Sequence, residues 1–173
     1  MRTKIILFIT LLLSLNILVG QSRLERKQLK EEKSQKEYLQ VKEVIESDTY
    51  EFNIVWVLPM GGTSINVNGD GYLVKITSDS IQTYLPYFGR VYSGVGYGTE
   101  SGISFESELE DFQVTVNDDK KKIEIGLTTN TTNENIEMVI TIFKNGSCHI
   151  TLQSMHRSTI SYSGKLVSKT LLL

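Results

Sequence analysis

Hydrophobic positions change their spacing twice along this chain. Residues 5–19 form a nearly continuous apolar run, preceded by Arg2 and Lys4 and followed by Gly20-Gln21. A short basic region, an apolar core of this length and a small residue at its end predict a secretory signal over residues 1–20. A membrane anchor needs about 20 apolar residues, more than this run supplies. The next stretch, residues 21–47, is rich in Lys, Glu, Gln and Arg, which favour helix. Its first half offers only Leu24 and Leu29 as apolar residues, too few to sustain a coiled-coil heptad. Its second half places Tyr38, Val41 and Ile45 at helical spacing, flanked by Leu39 and Val44. The pattern predicts a charged helix with solvated early turns and late turns docked on a sheet.

Beyond Asp48 the period falls from 3.6 to 2. Tyr50, Phe52, Ile54, Trp56 and Leu58 alternate with more polar neighbours and end at Pro59. Similar runs centre on Val74, Thr83, Val114, Ile125, Ile140 and Ile150, and further runs cover residues 160–162 and 165–173. Between them lie turn residues: Asn68-Gly69-Asp70-Gly71, Asp118-Asp119, Asn145-Gly146 and Ser163-Gly164. Short connections between alternating runs mean antiparallel hairpins. Residues 48–173 are therefore expected to be an all-β domain, an antiparallel meander forming a small barrel or barrel-like sandwich, preceded by one N-terminal α-helix. An outer-membrane barrel would want strands of about 10 residues with aromatic girdles. Most runs here are shorter, and the chain ends in leucines.

Without residues 1–20 the chain holds about 150 residues, enough for one domain with a sizeable core. It then carries 16 basic and 20 acidic side chains, a net charge of −4. That balance argues against nucleic acid as a partner. Cys148 is the only cysteine, so no intrachain disulfide can form and the fold must rest on its core and strand pairing. No cysteine near residue 20 can accept a bacterial lipid anchor. No membrane span is expected in the mature chain.

Candidate chemistry is sparse. Residues 66–71 resemble the first half of a calcium loop, yet Thr77 stands where a bidentate Glu is needed, so a tight turn explains them. Cys148 and His149 are adjacent on a strand and must face opposite ways, which prevents them from acting as nucleophile and base. His149 and His156 are the only histidines, and neither stands at metal-ligand spacing. The acidic residues among 106–111 read as a solvated strand end or turn. No cofactor, metal site or catalytic constellation is expected, which points away from an enzyme.

Residues 85–105 interrupt the alternation with five of the 13 glycines and three of the eight tyrosines. Loops at the mouth of a small barrel supply pockets with aromatics and a few polar groups. Tyr87, Phe88, Tyr92 and Tyr97 have the residue types to stack on a ligand, and Arg90 can hold a carboxylate or phosphate. The competing expectation is a corner, with Tyr87 and Phe88 plugging one end of the core. A small, partly apolar or anionic ligand, or an envelope protein, is the partner this stretch suggests.

The motifs Tyr84-Leu85-Pro86-Tyr87-Phe88-Gly89-Arg90, Gly102-Ile103-Ser104-Phe105 and Ser161-Tyr162-Ser163-Gly164 carry a resemblance. With the signal-like start and the charged helix, the chain resembles the Bacteroidetes family of exported domains of unknown function numbered 4251. The resemblance runs from about residue 39 to residue 166. It implies an all-β domain in the periplasm or at the surface of a Gram-negative cell, and brings no activity, ligand or catalytic residue.

Overall fold

The structure is a computed structural model that describes residues 2–47, 49–92, 102–131 and 134–167, with side chains from Arg23 onward. Helix α1 runs over Arg2–Ile45. It continues through the junction between the signal-like run and the charged segment, since no proline precedes Pro59 to force a break. The chain divides into two compact units, Met1–Lys36 and Glu37–Leu173. In the first, Leu24 and Leu29 are exposed among charged side chains, as two isolated leucines must be. No helix among the described residues is long and apolar enough to cross a membrane.

Among its described residues the second unit holds the last turns of α1 and ten strands. These are β1 (Thr49–Pro59), β2 (Ile65–Asn66), β3 (Leu73–Thr77), β4 (Ser80–Pro86) and β5 (Gly102–Glu108), then β6 (Asp111–Asn117), β7 (Lys122–Asn130), β8 (Asn135–Phe143), β9 (Ser147–Ser154) and β10 (Ile160–Val167). All pair antiparallel in the order β5-β4-β3-β1-β10-β9-β8-β7-β6, with β2 added on β1. The sheet curls into a half-barrel. The all-β class, the meander and the N-terminal helix are as the spacing predicts.

Alternation explains the core directly. Phe52, Val74, Ile76, Ile81, Ile125, Ile140, Ile150 and Tyr162 point to one face and are fully buried there. Tyr38, Val41, Val44 and Ile45 of α1 join the same cluster. Leu39 stays exposed because it lies about 150° around the helix from that stripe. The helix end is also tied by its polar groups: the Tyr38 hydroxyl donates to Asp118 Oδ1 at 2.8 Å, and Lys42 Nζ lies 3.5 Å from the same oxygen.

Most of the expected turns are present. The Asn145 side chain accepts from Ser147 N at 3.2 Å, and Gly146 takes φ 75° where β8 folds back as β9. Between β2 and β3, Asn66 Oδ1 accepts from Asn68 N at 3.0 Å. One expected turn is absent. Ser163-Gly164 lies inside β10, which continues as a single strand where two short runs are expected. Gly164 faces Ile54 at the point where β1 bulges between Ile54 and Trp56. A Cβ at Gly164 would overlap the Asn53 carbonyl oxygen, so the glycine is there for close approach of two strands, not for a bend. The alternation also misses β2 and β5. In β5 the core-side row is Ile103, Phe105 and Ser107, too short an apolar pattern to stand out beside Ser104, Glu106 and Glu108.

β5 and β6 are consecutive in the chain, yet they are the two outer strands and do not pair with each other. Leu109 N bonds to the Asp79 carbonyl at 2.9 Å and Glu110 N to the Thr128 carbonyl at 3.0 Å, which splays the connection. The open side of β5 is partly covered: Thr129 Oγ1 donates to the Glu108 carbonyl and Ser107 Oγ to the Asn130 carbonyl, each at 2.8 Å.

Candidate functional site

Pro86 ends β4 and starts a stretch that is locked to the β9–β10 connection. Its carbonyl accepts a hydrogen bond of 2.9 Å from the Tyr162 hydroxyl, whose phenol is raised well above its usual pKa, chiefly by burial. Tyr87 then turns inward and is buried. Its hydroxyl lies 2.8 Å from the Arg90 carbonyl and 3.0 Å from both the carbonyl and the hydroxyl of Ser158. A side chain at Gly89 would collide with that hydroxyl, so glycine is needed for Tyr87 to fold beneath its own backbone. Arg90 N donates to Ser158 Oγ at 3.0 Å and Ser158 N to the Arg90 carbonyl at 2.9 Å. Val91 bridges to Arg157, and Tyr92 N donates to the His156 carbonyl at 2.8 Å.

Beneath this latch lies an ion pair that sequence reasoning missed. Arg157 Nε donates to Glu134 Oε1 at 2.9 Å, with side chains only 10% and 5% exposed. The guanidinium sits 5.1 Å from the centre of the Tyr87 ring, and Nη1 reaches the Gly102 carbonyl at 3.4 Å. Ser154 Oγ donates to the other carboxylate oxygen of Glu134. A charge pair so removed from water needs further hydrogen bonds to hold it, and here it ties β5 and the end of β9 to the residue before β8 and to the β9–β10 connection. Its partners are 23 residues apart and separated by two strands, so no spacing rule points to them.

On the opposite side of β4 the same stretch builds a hollow. Tyr84 alternates with the buried Thr83 and Leu85 and so faces outward, opposite Leu73 and Ser104 on the neighbouring strands. Tyr72, just before β3, stacks on it with ring centroids 5.1 Å apart and planes 30° apart. Phe88 follows Pro86 around the corner, and it and Tyr84 are each 49% exposed. Together with Leu85, Pro86, Gly102 and Ser104 these rings border an open cavity of about 430 Å³. A second hollow of about 480 Å³, shared through Tyr84 and Ser104, extends along the strands past Gln82 and Glu106. Tyr72, Tyr84 and Ser104 escape sequence reasoning because only strand register sets them side by side.

The residues proposed from sequence are therefore divided. Phe88 lines the hollow. Tyr87 lies under it as part of the latch. Arg90 and Tyr92 are exposed, and no carboxylate among the described residues pairs with the Arg90 guanidinium. Tyr97 falls outside the described residues. Cys148 faces the core opposite Gly164, where burial pushes its thiol up to about 12, while His149 faces solvent. Among the described residues no three His, Cys, Asp or Glu side chains gather as a metal site would require.

Comparison with known proteins bears on fold and family. A family model described as "Domain of unknown function (DUF4251)" matches residues 32–166. The chain is also similar to the crystal structure of a DUF4251 family protein from Bacteroides eggerthii DSM 20697, with a TM-score of 0.59 and 12% identity, covering 78% of this chain and 89% of that one. At that identity the likeness concerns the fold. Among curated proteins, none matches the chain.

Proposed function

Since the chain belongs to the DUF4251 family, whose role is unknown, we propose from its geometry that it is an exported, non-enzymatic domain that binds a small, partly apolar ligand of the cell envelope. The observation that carries this reading is the outward group of Tyr72, Tyr84 and Phe88 around a hollow of about 430 Å³. Exposed rings lose water readily to a flat apolar partner, and a cavity of this size falls in the range of small-molecule sites. Ser104 and, further along, Gln82 and Glu106 supply hydrogen-bonding groups that orient the polar edge of such a ligand. Arg90, two residues past Phe88, is available to an anionic group. The latch of Tyr87, Arg157 and Glu134 fixes the corner that carries Phe88, a preorganisation that lowers the entropy lost on binding. Export is supported by the basic, apolar and small-residue order of residues 1–20. The non-enzymatic reading is supported by Cys148 and His149, which face opposite sides of β9, the thiol in the core and the imidazole in solvent.

A purely structural role in the envelope is the second reading, favoured by how fully the latch engages Tyr87. One experiment separates them. Protein is purified from its native envelope, and released small molecules are identified by mass spectrometry. Wild type should retain a compound that the Tyr84→Ala, Phe88→Ala double variant loses and a Tyr92→Ala variant keeps. Equally empty spectra for wild type and double variant would leave only the structural role. Intact mass from the same preparation reports export directly, through loss of residues 1–20.

A further inference from the structure

Tyr84 and Ser104 belong to both hollows on the outer face of β3, β4 and β5. The first hollow is bordered by the rings of Tyr72, Tyr84 and Phe88, the second by the polar side chains of Gln82 and Glu106. Strand register sets this order. Leu73, Tyr84 and Ser104 stand opposite one another in one outward row, and Lys75, Gln82 and Glu106 in the next. Successive outward rows lie two residues apart, about 7 Å along the strand, the scale of one sugar ring. Gln82, Ser104 and Glu106 are exposed, and among the described residues no hydrogen bond or ion pair engages their side chains.

We infer, on the basis of the ligand-binding reading above, that the joined hollows take a neutral oligosaccharide, one sugar ring against Tyr84 and Phe88 and the next beside Gln82 and Glu106. A pyranose complements such a surface because its C–H face is apolar and covers an aromatic ring, while its rim carries hydroxyls. Each hydroxyl is both donor and acceptor. The Gln82 amide and the Ser104 hydroxyl also offer both functions, and the Glu106 carboxylate accepts from two neighbouring hydroxyls. Other ligand classes fit less well. The outward residues of β3, β4 and β5 include the carboxylates of Glu106 and Glu108, while Lys75 already has Glu51 opposite it on β1. Arg90 borders neither hollow, so the local field disfavours an anion. An acyl chain needs apolar cover on every side, and here Tyr84 and Phe88 remain half exposed. An organic cation would use the same rings and carboxylates, and it is the competitor that the test must separate.

Two-dimensional amide NMR on the isotope-labelled protein reads this directly, with maltose, cellobiose and diacetylchitobiose each added up to about 50 mM, a range suited to weak open sites. At least one disaccharide should shift the amides of Gln82, Tyr84 and Ser104 and bind about tenfold more tightly than its monosaccharide, since two linked rings engage two hollows. Tyr84→Ala and Phe88→Ala should each weaken that binding at least about tenfold. Phe143→Ala removes an exposed ring at the end of β8 away from Glu134 and should leave it unchanged. Glu106→Ala should weaken it about fivefold and Glu106→Gln by no more than about threefold, because an amide oxygen still accepts from hydroxyls. If Tyr84→Ala lacks native circular dichroism, Phe88→Ala at the exposed corner carries the comparison. No shift with any of the three sugars, or shifts that both ring variants retain, would overturn the inference. So would tetramethylammonium binding at the same amides more tightly than every disaccharide and lost in Glu106→Gln, which would assign the hollow to a cation. The compound retained from the native envelope keeps the two proposals apart. A non-carbohydrate lost by the Tyr84→Ala, Phe88→Ala variant would preserve ligand binding and overturn the sugar, whereas empty spectra without sugar shifts would remove both.

Discussion

Tyr50 shows at the residue scale what a core position does to a polar atom. It sits in phase with Phe52 and Ile54 and is buried, its ring meeting Phe52 edge-on at 5.8 Å. Its hydroxyl has no hydrogen-bond partner among the described residues, and desolvation pushes its pKa up to about 12. An unpaired buried hydroxyl forfeits its bonds to water without replacement. Tyr50→Phe should therefore raise stability by about 1 kcal/mol, read as a higher urea midpoint. A lower midpoint would mean that the hydroxyl has a partner. Buried alternation marks Tyr50 as core from the sequence, but whether its oxygen is satisfied depends on groups that only the folded chain brings near.

Among the elements, β10 is the most instructive. Composition makes Ser163-Gly164 look like a turn, since glycine after serine is common where chains bend. The strand passes straight through because Gly164 faces the bulge in β1, and its missing side chain lets the two backbones meet. Gly164→Ala should cost about 3 kcal/mol, as overpacking at a rigid contact does. Gly126 in β7 has no heavy atom within 4 Å of an added Cβ. Gly126→Ala should stay within about 0.5 kcal/mol of wild type. Urea denaturation of both variants checks the contrast; equal effects would remove the bulge as the reason for this glycine. Turn and bulge glycines share one sequence signature, and the partner strand distinguishes them.

For the molecule as a whole, a buried thiol and buried phenols limit stability at high pH. Burial moves the Cys148 thiol from 9.0 to about 12 and the Tyr50 phenol from 10.0 to about 12, and it raises Tyr162 further. All three values are higher folded than unfolded. Above pH 9 the unfolded chain releases protons that the native chain keeps, so it binds fewer, and stability falls as pH rises. The contribution is complete below pH 9 and is lost progressively toward pH 12. Urea midpoints measured from pH 7 to 11 should be level at first and then decline. Cys148→Ala should delay the onset to near pH 10, where the phenols begin to ionise in the unfolded chain. Midpoints unchanged up to pH 11 would show that these groups are not shielded from water.

The sequence by itself determined the local terms. Period-2 alternation identified most of the strands and their buried faces, a stripe at helical spacing identified the docked turns of α1, and Asn-Gly chemistry identified the β8–β9 turn. Each of these is decided within a few residues, by side-chain direction and backbone propensity. The tertiary structure alone decided what depends on register between distant strands. It stacked Tyr72 on Tyr84, placed Arg157 against Glu134 beneath Tyr87, put Phe88 at a hollow and set β6 at one end of the strand order among the described residues. No local pattern encodes these, because pairing energy along a sheet is summed over strands far apart in the chain, and one residue of shift would face every side chain the other way.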